Sequence, residues 1–311
     1  MSFEHLKQRL LFVVGKGGVG RSSVSSALAA YFSQKKENVL VVQWALGNFI
    51  SPNDNLFSFN TINFNVDEAI KEYFVDHLKM KLLYNIIIQN KHVQKLIHAA
   101  PGISELFFLG KLFWLVELSQ KERGVFYDRI IVDTPATGHG VSLFGISKVV
   151  SNLGISGPLA FECERIANLL ADKEKTATLL VTLPEELPVE ECIEFYPTLT
   201  EKLGYAPLYL IVNQSVRESI YPQIPAFLNE IWFKNMLQSL HSDTAKQELV
   251  SLVSSLIKRN TYEKKLEEFA KTKNLNIISV PDFNLISNTG SSFQIVKAMT
   301  EFFNTNKDDN E

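Results

Sequence analysis

The sequence predicts an α/β protein, a doubly wound and mostly parallel sheet with an inserted helical subdomain. Three observations predict it. Short β-branched runs recur along the chain, nearly all apolar rather than alternating, as in strands buried on both faces of a parallel sheet. Helical patterns fall between these runs, the order expected of βαβ units. The first run leads directly into a glycine-rich loop and then a helix.

In chain order, the buried strands are expected at Leu10–Val14, Val39–Val42, Arg129–Val132, Thr178–Leu183, Leu208–Val212 and Asn276–Val280. The weaker run Phe57–Phe64 alternates and is expected at a sheet edge. Ser22–Phe32 places Val24, Ala27, Leu28, Tyr31 and Phe32 on one helical face, spaced for packing on a sheet. Three stretches are too long for simple crossovers: about 67–121, 140–171 and 220–270. They are expected to assemble a helical subdomain within a single domain spanning 1–311, with a frayed polar tail at 304–311.

Bulk properties exclude several classes. A formal charge of −3 gives no basic excess, so a general nucleic-acid binder is not expected. The most apolar helical stretch, Ile103–Leu118, is interrupted by Lys111 and is shorter than the ~20 residues a bilayer span needs, so no transmembrane segment is expected. The N-terminal residues carry charges where a secretory leader would be apolar. The two cysteines, Cys163 and Cys192, form no metal-ligand spacing, and a reducing cytoplasmic location is the simple expectation.

The chemistry concentrates in GKGGVGRSS, Gly15 to Ser23. A strand, a glycine loop and a helix in that order are the setting of a phosphate-binding loop. Gly17, Gly18 and Gly20 let backbone N–H groups close around phosphate oxygens, and the helix N-terminus adds partial positive charge. The nucleotide-binding set is Gly15, Gly17, Gly18, Val19, Gly20, Arg21, Ser22 and Ser23, with the Ser22 hydroxyl as a Mg²⁺ ligand. A glycine-rich turn without ligand is the competing reading. Asp133 ends a buried strand, where ligands collect in open α/β sheets, and its carboxylate would hold Mg²⁺ through water. A strand-ending Asp capping the next turn is the alternative.

Further motifs narrow the family. KGGVGRS resembles the deviant loop KGGxGK[ST], in which an early lysine, here Lys16, reaches a partner subunit's nucleotide; a solvated surface lysine is the alternative. VDTPATGHGVSLF, Val132 to Phe144, resembles the switch II of the arsenite-pump ATPase (ArsA) family, which includes ATPases that deliver tail-anchored membrane proteins. AAPGISEL (Ala99–Leu106) looks like that family's PG-x-x-E element, and Leu169–Glu191 is similar to its bacterial members. The resemblance runs from the first strand to about Gln214. It implies a P-loop NTPase fold, ATP and Mg²⁺ as cofactors, and a homodimer or a heterodimer with a paralogue. It also implies catalytic roles for Lys16 and Asp133, a shape change at Gly138 and Gly140, a conformational relay or packing role for His139, and an adenine contact from Asn213.

Two departures from the family pattern bear on activity. Arg21 stands where the loop lysine belongs, and its planar fork needs more room than an ammonium. After the strand VLVV, the segment QWALGN (Gln43–Asn48) places Ala45 where the family's switch I has an Asp, and Ala45 can neither orient nor deprotonate water; a register slip would bring Asn48 there instead, and no acid follows until Asp54. Each lost electrostatic group is worth roughly 10²–10³ in rate. Three functions follow: a nucleotide-cycling ATPase with weakened hydrolysis, a pseudo-ATPase subunit of an asymmetric dimer with an active paralogue, and a chaperone for apolar helices. Phe107, Phe108, Leu112, Phe113, Trp114 and Val116 wrap most of one helix, which favours core over cargo groove. A metalloid site is disfavoured by two poorly spaced cysteines.

Overall fold

In a computed structural model of the chain, the described residues are 3, 6–44, 58–77, 102–135, 143–145, 158–220, 230–283 and 291–305. The strands are β1 (Leu10–Gly15), β2 (Val39–Gln43), β3 (Asn60–Asn63), β4 (Arg129–Asp133), β5 (Thr176–Thr182), β6 (Tyr209–Ser215) and β7 (Asn276–Pro281). They form one sheet in the order β3-β2-β4-β1-β5-β6-β7, and every neighbouring pair is parallel. All expected strands are present with small shifts at their ends, and the alternating run supplies the edge strand β3.

The helices in chain order are α1 (Arg21–Gln34), α2 (Val66–Lys71), α3 (Ile103–Phe113), α4 (Ser119–Arg123), α5 (Pro158–Ala171), α6 (Glu186–Leu203), α7 (Val216–Ile220), α8 (Glu230–Ser239), α9 (Asp243–Lys273) and α10 (Ser292–Thr305). A π-helical turn, Trp114–Leu118, joins α3 to α4. Alternate residues of β1 enter different cores: Leu10, Phe12 and Val14 lie on one side, Leu11 and Val13 on the other. That division is the physical reason the strand is apolar throughout. The first core is completed by α3, α5, α6 and α9, and the second by α1 and α10.

Helix α1 departs from the one-sided burial expected of it. Every residue from Val24 to Phe32 is buried, including Ser25 and Ser26. The cause is α10, which packs against α1, with Asn304 Nδ2 donating to Gln34 Oε1 at 2.6 Å. The small residues Ser25, Ser26, Ala29 and Ala30 permit that close approach. Helix α3 is core: Phe108, Leu112 and Phe113 are buried, as are Trp114 and Val116 beyond it, while Phe107 is half-buried against Tyr73. Among the described residues, no helix is long and apolar enough to cross a membrane.

The longest helix, α9, is tied to the sheet by a buried carboxylate. Glu263 accepts from Ser215 Oγ at 2.9 Å and from the Val216 N–H at 2.5 Å. Burial raises its pKa above the ordinary 4.5, against the opposing pull of these hydrogen bonds. The folded state therefore holds this proton to higher pH than the unfolded chain does. The contribution is full below the unfolded value and is lost as pH rises through the folded one. Thermal unfolding of Glu263→Gln should show a smaller loss of stability than wild type as pH climbs from the ordinary carboxylate value upward. An unchanged pH slope would refute the assignment.

Candidate nucleotide site

The site lies at the carboxyl ends of the central strands, where β1 gives way to α1 and β4 ends in Asp133. The loop between β1 and α1 is pinned by one residue and open at others. Val19 is buried in the second core, whereas Gly17 and Gly18 face solvent. Gly20 is the N-cap of α1, with φ 87°, a backbone conformation that disfavours any side chain. A Cβ on Gly20 would lie 2.2 Å from Asn213 Nδ2, so glycine is required there by contact as well as by conformation. No side chain caps α1 and its first turn carries no acid. The first N–H groups of a 14-residue helix are therefore left for an anion, beside the partial positive charge of its terminus.

Around this cradle the polar side chains converge. Ser22 Oγ donates to Asp133 Oδ2 at 2.6 Å, so the two candidate magnesium ligands touch although 111 residues apart in sequence. Asp133 is held up in pKa by burial, and Ser22, Arg21 and Gln43 pull it back toward the charged form. The Arg21 guanidinium bends across to the end of β4, where Nη1 donates to the carbonyl of Thr134. Thr134 is itself fixed by its Oγ1, which donates to the Val13 carbonyl at 2.8 Å. Desolvation lowers the Arg21 pKa and Asp133 opposes that shift; an arginine remains charged nonetheless.

Asn213, toward the carboxyl end of β6, is 2% exposed and lies beneath the loop. Its Nδ2 donates to the Val19 carbonyl at 3.0 Å and its Oδ1 accepts from the Gln214 N–H at 3.0 Å. Lys16 projects from the loop toward α6, with Nζ 3.6 Å from Glu191 Oε1 and each side chain about one-third exposed (34% and 33%). An exposed pair of this kind is worth at most about 1 kcal/mol. Ser23 is half-buried in the first turn of α1.

The sequence alone did not single out Gln43, Thr134 or Glu191. Gln43 is buried at the end of β2, in register with Asp133, and hydrogen-bonds to it. Strand register made this pair, and register is not written in a single run of residues. Directly after Gln43, Trp44 packs edge-on against Phe108, with ring centroids 4.7 Å apart. The chain is thus anchored at Trp44, while Ala45, Pro101, Gly138, His139 and Gly140 lie outside the described residues. Cys163 and Cys192 are both buried, and burial pushes the Cys192 thiol up to about 12.

Comparison with known proteins finds ATPases. A family model described as "Anion-transporting ATPase" matches residues 8–45, which cover β1, the loop, α1 and β2. The ATPase BagA of Mycobacterium tuberculosis is 29% identical over 240 residues, 69% of this chain and 67% of that protein. A putative arsenical pump-driving ATPase of Aquifex aeolicus is 26% identical over 304 residues, 85% of this chain and 98% of the other. An ATPase ASNA1 homolog of Plasmodium falciparum is 24% identical over 326 residues, 89% of this chain and 80% of the other. With a seven-stranded parallel sheet, a glycine loop on its central strand and relatives of this kind, the chain is similar to the ATPases of the ArsA family.

Proposed function

We propose that this chain binds Mg·ATP at the Gly15–Ser23 loop and uses the nucleotide to change its association with a second ArsA-type subunit, with hydrolysis at its own site weakened by Arg21 and Ala45. One observation carries the reading. The uncapped start of α1, the glycine cradle and the touching Ser22–Asp133 pair form a site for phosphate and a divalent cation, while the charge meant for the phosphates is turned onto the Thr134 carbonyl. The donor set fits the group: Ser22 and Asp133 offer hard oxygen ligands suited to Mg²⁺, and the loop offers N–H donors to phosphate. Bound magnesium would supply charge neutralisation at the phosphates. Asn213 spends one amide hydrogen on the loop; its second would be the adenine contact.

Arg21 keeps a positive charge beside the cradle, so binding survives the substitution better than transition-state stabilisation does. Lys16, which among the described residues makes a weak pair with Glu191, is the group this chain would lend across a dimer. That makes the pseudo-ATPase half of an asymmetric dimer the second form of the same reading. A cargo role draws support from α9, where Val250, Leu252 and Ile257 are exposed, and from the open groove of about 380 Å³ between α8 and α9 lined by Leu237 and Val250.

Single-turnover ATP hydrolysis by the purified chain, by an ArsA-type paralogue with intact loop lysine and switch I Asp, and by their mixture tests the proposal. The chain alone should be slow, and the mixture faster than the sum of its parts. Stimulation should disappear with Lys16→Ala. Rapid hydrolysis by the chain alone would overturn the weakened-site reading. No stimulation, or equal stimulation by Lys16→Ala, would overturn the role of Lys16.

A further inference from the structure

We propose that Arg259, on α9, is a positioning residue for the nucleotide loop, acting through Gln214 and Asn213. The inference rests on the nucleotide reading above. Arg259 Nη1 and Nη2 each lie 3.1 Å from Asp282 Oδ2, just beyond β7, and Nη2 also donates to the Gln214 carbonyl. The pair is nearly dry, with side-chain exposures of 13% for Arg259 and 7% for Asp282. Gln214 has φ 56°, a left-handed conformation unusual for a residue other than glycine. It falls where the β6–β7 pairing shifts register, between Val212 and Ser215.

That turned residue presents its two backbone groups to different partners. Its carbonyl meets Arg259, and its N–H meets Asn213 Oδ1 at 3.0 Å. The second contact fixes which way the Asn213 amide faces, and so aims Nδ2 at the Val19 carbonyl. Val19 directly precedes Gly20, whose positive φ shapes the cradle. A continuous series of hydrogen bonds therefore runs from Asp282 through Arg259, Gln214 and Asn213 to the loop. The strained Gln214 conformation needs an external hold, and the guanidinium supplies it. An ammonium could pair with Asp282 but lacks the fork that reaches the carbonyl at the same time.

Asp282 directly follows β7 and Gln214 lies near the end of the adjacent β6, whereas Arg259 belongs to a helix that exposes Val250, Leu252 and Ile257 within the three turns before it. The loop's shape is thus referred to the position of α9. Losing one hydrogen bond of this kind should change affinity by about three- to tenfold.

The test is Mg·ATP affinity by calorimetry on the full chain, in a double-mutant cycle of Arg259→Lys and Asn213→Ala, with thermal unfolding measured alongside. Arg259→Lys should weaken binding while the protein stays folded, and the double variant should bind no worse than Asn213→Ala alone, because both changes cut the same series. Exposed Lys258→Ala should bind as wild type does. Additive losses, or full affinity in Arg259→Lys, would overturn the proposal. If Arg259→Lys does not fold, Arg259→Gln with Asp282→Asn removes both charges together and leaves no buried ion unpaired; full affinity in that variant overturns the proposal equally. Absence of binding by wild type would instead refute the nucleotide reading itself.

Discussion

Gly20→Ala is expected to weaken Mg·ATP binding by about a hundredfold, a loss of about 2.7 kcal/mol. Two terms contribute. Holding a side-chain-bearing residue at φ 87° costs roughly 1–2 kcal/mol. The added Cβ would also lie 2.2 Å from Asn213 Nδ2, and Asn213 is too buried to move aside without breaking its bond to Val19. A buried amide left without its partner costs about 1–3 kcal/mol. Gly18→Ala serves as the comparison: its φ is 81°, yet a Cβ there meets nothing within 4 Å. In thermal unfolding, Gly20→Ala should therefore be the more destabilised of the two. Equal melting temperatures would mean that Asn213 does not brace the loop.

The second large effect is a gain. Arg21→Lys combined with Ala45→Asp should raise the single-turnover hydrolysis rate roughly a hundredfold or more over wild type. Lysine removes the guanidinium from the Thr134 carbonyl and leaves a compact charge on a flexible stem in the same loop. The aspartate restores a group able to orient water. Each change alone should recover less, because groups that act on one transition state are not additive. A double variant no faster than wild type would show that position 45 is not the switch I acid position, or that the limiting step lies elsewhere.

The sheet was legible because each central strand is buried on both faces, which writes itself into the sequence as an unbroken apolar run, as in Leu10–Val14 and Val39–Val42. The loop was legible because its chemistry is local: strand, glycines, hydroxyl and helix are consecutive. What escaped depends on parts of the chain far apart. The full burial of α1 needs α10, some 270 residues later, and nothing in Ser22–Phe32 announces a second covering layer. Gln43 reaches Asp133 only because β2 and β4 pair in that register. Arg259 looks like one more charge on a polar helix until Gln214 turns its carbonyl inward. Asn213 was expected just after a strand and instead lies within β6, and its bond to Val19 arises from the strand order β1-β5-β6, not from its neighbours.

The most direct measurement of the central claim is equilibrium binding of ATP to the purified chain, with and without Mg²⁺, for wild type and Gly20→Ala. The account predicts saturable binding by wild type at one site per chain, strengthened by magnesium and lost in the variant. A folded wild-type protein that binds no ATP at millimolar concentration, or a Gly20→Ala protein that binds as well as wild type, would contradict it.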